Sequence, residues 1–118
     1  ACHQGFNFSD NGFHNIGLKG NQDAGRFGVV PLPSMKGAFK TPTLRNIALT
    51  APYMHNGSYQ TLTEVVEHYN RGGDVKEFAD PNMKPLKLNS QEIQDLVEFM
   101  KNLTGATPDI TVPALPIK

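Results

Sequence analysis

With 118 residues the chain has room for one domain with a modest core and none for two domains of ordinary size. Lysine plus arginine and aspartate plus glutamate number eleven each, so the net charge is zero; that excludes the basic footprint of a nucleic-acid-binding surface, and no apolar run approaches the length of a membrane span. Hydrophobic residues at 38% and charged residues at 19%, in a background rich in glycine, proline and asparagine, suit short helices joined by ordered loop and a core that a cofactor completes.

The chain opens Ala1-Cys2-His3. The lone cysteine rules out an internal disulfide, and its place before a histidine reads either as a stray thiol or as the end of a C-x-x-C-H haem-attachment motif whose first cysteine would precede residue 1. Residues 1 to 35 carry little periodicity and many turn formers, among them Asp10-Asn11-Gly12, Lys19-Gly20-Asn21 and Asp23-Ala24-Gly25. Long loop of this kind in a compact domain usually wraps a functional object.

Thr41-Pro42-Thr43 predicts a short helix from Leu44, with Ile47 and Ala48 on the same side and Thr50-Ala51-Pro52 as its stop; His55-Asn56-Gly57 predicts a turn. Thr61 and Glu64 have capping-box spacing, and Leu62, Val65, Val66 and Tyr69 then make one apolar helix face that Arg71-Gly72-Gly73 closes. A second helix is capped at Asn89 or Ser90, with Ile93, Leu96, Val97, Met100 and Leu103 as its buried face and Gly105 at its C-cap. Residues 106–118 repeat proline among small apolar residues and read as an extended tail. No strand pair is evident, so the fold class expected is mainly α, with long ordered loops.

His3 is a candidate haem-iron ligand, and in isolation reads equally as an exposed terminal histidine. A sixth ligand would come from His14, Met35, Met54, His55, His68, Tyr69, Met83 or Met100, and spacing alone does not choose among them. Met100 lies on a regular apolar stripe and reads as core, and so does Tyr69 by the same rule. No second C-x-x-C or H-x-x-x-H completes a zinc site, and no phosphate-binding glycine loop or nucleophile elbow occurs.

Three stretches, CHQGFNFSDNGFHNIG, GAFKTPTLRNIALTAPYMHNGSYQTLTEVVEHYNRGG and LNSQEIQDLVEFMKNLTG, resemble the C-terminal haem domain of the bacterial di-haem cytochrome c peroxidase family, which includes the MauG-type enzymes that oxidise protein tryptophan. The resemblance covers residues 2 to 105, and its most specific part is FKTPTLRN, TAPYMHNG and HYNRGG in that order. It implies a cytochrome c-like domain over 1–105, with residues 106–118 as a C-terminal tail. It also implies Cys2 as the second thioether cysteine and His3 as the proximal ligand. Tyr69 stands where peroxidases of the family place a methionine ligand and MauG-like members a tyrosine, which raises it above Met54. Arg45 in TLRN is placed to pair with a haem propionate. Thr50 and Pro52 match positions whose backbone carbonyls help hold a calcium ion between domains, and a weak or empty site is expected here.

The resemblance further implies a periplasmic parent enzyme with two haems c. Peroxide would be reduced at an N-terminal haem absent from this chain while the present domain stores or relays electrons. The partners implied are that N-terminal peroxidatic haem domain, a small electron-donor cytochrome or copper protein or else a protein substrate, and a second copy of the parent in a homodimer. Nucleic acid and a membrane span are not expected, and this chain alone is not expected to be a competent peroxidase. The alternative readings are a single-haem electron-transfer cytochrome, a MauG-like enzyme oxidising tryptophan in a partner protein, and a non-haem structural or binding domain that keeps the family scaffold.

Overall fold

A computed structural model of the chain describes residues 1–106 and 109–114. Two α-helices carry the core, α1 (Leu62–Asn70) and α2 (Ser90–Lys101). Thr61 begins α1 as the sequence predicts: its Oγ1 accepts from Glu64 N at 3.2 Å and its own N–H donates to Glu64 Oε2 at 2.8 Å. Asn89 does the same for α2, accepting from Gln91 N and Glu92 N at 2.9 and 3.0 Å and donating to Glu92 Oε2 at 2.8 Å. Helix α1 ends because Gly72 and Gly73 take left-handed backbone at φ 76° and 79°, where the Gly73 N–H donates to the His68 carbonyl at 3.0 Å. The Lys76 ammonium then reaches the Gly72 and Gly73 carbonyls.

Leu62 and Val66 of α1 close on Val97 and Met100 of α2 and on Tyr53, with Ile47, Ala48, Tyr59, Val65, Leu88 and Ile93 packed around them. Met100 is core, as its spacing predicts. The expected α2 stripe is too wide, since Leu96 is 40% exposed, and Phe99 beside it is 49% exposed. The helix expected from Leu44 shrinks to a single 3-10 turn at Ile47–Leu49. Asn46 is the physical reason. It sits at φ 59° with its N–H on the Leu103 carbonyl at 3.0 Å and its Oδ1 accepting from Gly105 N at 2.8 Å, and an α-helix does not run through a left-handed residue. Gly105 is thereby tied to Asn46, and Asn102 rather than Gly105 caps α2.

A strand pair, unanticipated in the sequence, joins β1 (Phe13–His14) to β2 (Phe39–Lys40) in antiparallel register, Phe13 opposite Lys40 and His14 opposite Phe39. Two residues per strand are too few for alternation to show. Further 3-10 turns at Arg26–Gly28 and Pro33–Met35 break up the long first loop. The loop is stitched to the segment after α1: Asp74 N and Val75 N donate to the Gly17 carbonyl at 2.8 and 2.9 Å, and Asp80 N to the Asn15 carbonyl at 2.8 Å. Residues 106 and 109–114 carry no helix or strand; the rest of the expected tail, 107–108 and 115–118, lies outside the described residues. Among the described residues no helix is long and apolar enough to cross a membrane.

Replacing Asn89 by alanine removes the α2 cap and is expected to cost about 1 kcal/mol of stability in urea denaturation. Gly73→Ala is expected to cost more, about 2 kcal/mol or above, because left-handed backbone penalises a side chain. Its Cβ would also stand 2.7 Å from the Ile16 carbonyl oxygen.

Candidate functional site

The first ten residues fold back on themselves. Phe8 N donates to the Gly5 carbonyl at 3.1 Å, Ser9 N to Gln4 O at 3.0 Å and Asp10 N to Cys2 O at 2.9 Å. Inside this loop His3 Nδ1 lies 2.9 Å from the Phe8 carbonyl oxygen. A carbonyl only accepts, so Nδ1 carries the proton and Nε2 keeps a free lone pair, the tautomer a metal-binding imidazole needs. Arg45 clamps the loop from outside. Its Nη2 donates to the Phe6 carbonyl at 2.5 Å, and its guanidinium lies 4.4 Å from the Phe6 ring centre and 5.5 Å from that of Phe8. Phe8 in turn meets Phe99 of α2 edge-on at 6.2 Å. Phe6 itself is 87% exposed.

Tyr69, on the penultimate residue of α1, is half-buried and takes no part in the helix–helix core. Burial and then the Cys2 charge push its phenol up to about 12, with no hydrogen bond contributing. Tyr69 is therefore a neutral phenol within the electrostatic reach of Cys2, with no hydrogen-bond partner among the described residues. The other sixth-ligand candidates stand differently. His68 is fully buried with both nitrogens engaged, Nε2 on the Ile16 carbonyl at 2.8 Å and Nδ1 on Tyr59 Oη at 3.2 Å. His55 stacks on Phe39 at 3.6 Å and donates to Asn21 Oδ1 at 3.1 Å. Met100 is core.

Around Cys2 the charges are arranged by His14. Its Nδ1 lies 2.6 Å from Asp80 Oδ2 and its Nε2 2.8 Å from Asp10 Oδ2. Burial opposes charge on this ring, but the hydrogen bonds from Asp80 and Asp10 outweigh it and the pKa is raised. Asp10 is lowered to about 2, first by the Gly12 N–H that it accepts and then, against its burial, by Thr41 and His14. The Cys2 thiol is raised by burial and by these two carboxylates, which makes it a weak nucleophile. Ligand atoms of Cys2, Asp10 and His14 lie within 4.8 Å of one another. Both His14 nitrogens are already spent on carboxylates.

Thr50 and Pro52 are exposed, and their carbonyls accept no hydrogen bond among the described residues. Two neutral oxygens fall short of the roughly six to eight that calcium takes.

The cytochrome c family matches residues 1–104. The chain belongs to the cytochrome c family. Over 118 residues it is 41% identical to the methylamine utilization protein MauG of Methylorubrum extorquens, a match covering 98% of this chain and 33% of that protein. It is 44% identical over 97 residues to the cytochrome-c peroxidase IdrP1 of a Pseudomonas species, covering 79% of this chain and 26% of the relative. A solved structure described as a MauG-like protein associated with microbial copper homeostasis superimposes with a TM-score of 0.80 at 32% identity, over 89% of this chain and 42% of the other. The chain thus spans about a third of the curated relatives it matches and sits in the MauG and cytochrome c peroxidase branch of the family. Haem c is the cofactor that the family implies. A thiol beside a histidine with its Nε2 free fits that group, and the cytochrome c fold accounts for two helices set among long loops.

Sequence reasoning passed over Asp10 and Asp80, although the four-residue spacing from Asp10 to His14 was visible; the Asp80 contact spans 66 positions and left no local trace. A raised histidine pKa stabilises the fold below the ordinary value of about 6.5 and loses that contribution as pH rises through the raised value. His14→Gln is therefore expected to abolish a decline in thermal midpoint above pH 6.5. In the acid direction, the Asp10 contribution is present above 3.8 and disappears as pH falls through about 2.

Proposed function

We propose that this chain is the electron-storing or electron-relaying haem c domain of a periplasmic di-haem peroxidase-type oxidoreductase, with peroxide reduced at a second haem outside the chain. The observation that carries the reading is the His3 Nδ1 bond to the Phe8 carbonyl, which leaves Nε2 free one residue from the thioether-forming Cys2. Haem c, when bound, supplies a one-electron iron couple. His3 Nε2 and Tyr69 Oη are the groups that would hold its iron. Arg45, which spends one donor on Phe6, keeps others for a haem propionate. The loop bond to Phe8 fixes the His3 ring, as partners of the distant nitrogen do in other metal-bound histidines.

Tyr69 decides how the domain is used. A phenol raised to about 12 is neutral at pH 7, but a cationic metal on its oxygen favours the phenolate. An anionic oxygen ligand stabilises oxidised iron and lowers the potential that a methionine would give. That favours, as a second reading, a MauG-like enzyme taking electrons from tryptophan in a partner protein over a peroxidase fed by a small cytochrome or copper protein. Thr50 and Pro52 contribute carbonyls to a calcium site that other oxygens complete.

The full-length protein, matured in a bacterial periplasm, is expected to carry haem that survives acid-acetone extraction. Tyr69→Met is expected to raise the midpoint potential of the domain, and Tyr69→Phe to convert its iron to a high-spin spectrum. Absence of covalent haem would overturn the domain assignment; an unchanged potential in Tyr69→Met would remove Tyr69 as ligand.

A further inference from the structure

Next to Tyr69 lies a polar group that the proposed haem site does not use. The His68 ring meets the Tyr69 ring edge-on, centres 5.6 Å apart at 88°, and meets the Tyr59 ring at 5.7 Å. His68 is fully buried, whereas Tyr59 is half-buried and reaches Arg71 and Asp74, both exposed. Three aromatic rings therefore run in contact from Tyr69 towards the surface.

The hydrogen bonds along this row have a defined direction. His68 Nε2 faces the Ile16 carbonyl at 2.8 Å, which only accepts, so Nε2 holds the ring proton and Nδ1 offers a lone pair. Tyr59 Oη stands 3.2 Å from that Nδ1. Arg71 Nη2 donates to the same oxygen at 2.8 Å, leaving the phenol proton to be given away. The other acceptor in reach, Asp74 Oδ2, is farther at 3.4 Å and lies 3.5 Å from His68 Nδ1. Arg71 Nε holds the second Asp74 oxygen at 2.6 Å and keeps the carboxylate ionised.

A phenol loses an electron readily only when its proton leaves with it, and Tyr59 has a base positioned for that proton. We propose that Tyr59 is a redox-active tyrosine, the outer station of an electron relay that runs through His68 to Tyr69. In the oxidising step Tyr59 gives up one electron and its O–H bond breaks as the proton passes to His68 Nδ1; the haem c that Tyr69 would help hold, once oxidised by hydrogen peroxide, would be the electron acceptor. A neutral phenoxyl and an imidazolium beside Asp74 result. In the return step an electron from a docked one-electron donor, a reduced cytochrome or copper protein, reduces the phenoxyl and the proton goes back from His68 Nδ1 to Tyr59 Oη. Each passage moves one electron, so two passages supply the two electrons that one peroxide consumes. The use of the relay rests on the function proposed above; the phenol–imidazole pair does not need haem in order to react.

Flash photolysis with a ruthenium(III) polypyridyl oxidant tests the pair on the full-length ferric protein carrying ring-deuterated tyrosine. The expected result is a tyrosyl electron paramagnetic resonance signal narrowed by the deuterium. Tyr59→Phe is expected to lose this signal while its haem spectrum and potential stay those of the parent. A signal of undiminished yield in Tyr59→Phe would overturn the proposal, because the radical would then sit on another tyrosine. The rate of radical formation supplies a second readout. An internal base makes it independent of phosphate concentration, and a rate that climbs in proportion to phosphate would show a surface phenol without a built-in acceptor and equally overturn the proposal. Should the protein carry no covalent haem, the haem reading falls, and the same flash experiment on the haem-free full-length protein still decides whether Tyr59 is the radical site.

Discussion

One buried imidazole joins the parts of this molecule that the sequence keeps far apart. His68 leaves α1 with its Nε2–H on the Ile16 carbonyl, so the long first loop is bolted to the helix that carries Tyr69. A buried imidazole without partners would cost on the order of 1 to 3 kcal/mol, and here both ring nitrogens are matched. The same turn of helix then delivers Gly73 in left-handed backbone, and its bare Cα lets the Ile16–Gly17 stretch of loop approach closely enough for the Asp74 and Val75 amides to bond it. Removing that fastening would free the loop that brings Cys2 and His3 to the neighbourhood of Tyr69.

The hydrophobic core alone is small. It rests on Leu62, Val66, Val97, Met100 and Tyr53, while Phe6, Val29, Leu32 and Leu49 remain more than half exposed. Apolar surface left in water forgoes the roughly 25 cal/mol per Å² that burial brings. A domain built this way holds its loops with hydrogen bonds and turn glycines, and its exposed apolar side chains suit a flat hydrophobic group such as haem. The relatives, each about three times the length of this chain, are consistent with that economy of core.

Charge is distributed with a similar division of labour. Around Cys2, the pair Asp10 and Asp80 holds a charged His14 and keeps the thiol protonated. Around Tyr59, Arg71 and Asp74 form an ion pair that brackets the phenol. Tyr69 is within electrostatic reach of Cys2 and in ring contact with His68, and among the described residues it belongs to neither network by hydrogen bonding. A cation on that oxygen would oppose the burial that holds it neutral.

The sequence by itself determined the two helices, because capping boxes at Thr61 and Asn89 and the 3.6-residue apolar spacing are local chemistry that survives without context. It also determined the family, through FKTPTLRN, TAPYMHNG and HYNRGG. It misjudged the segment from Leu44, where the Asn46 bonds to Leu103 and Gly105 come from residues more than fifty positions away and force a left-handed turn. Only the tertiary structure decided that His3 keeps Nε2 free, that His14 is pinned by Asp10 and Asp80, and that His68 is spoken for while Tyr69 is not. Those outcomes depend on which carbonyl or carboxylate a ring nitrogen meets after the loops close, and long-range pairing of that kind has no period for a linear pattern to carry.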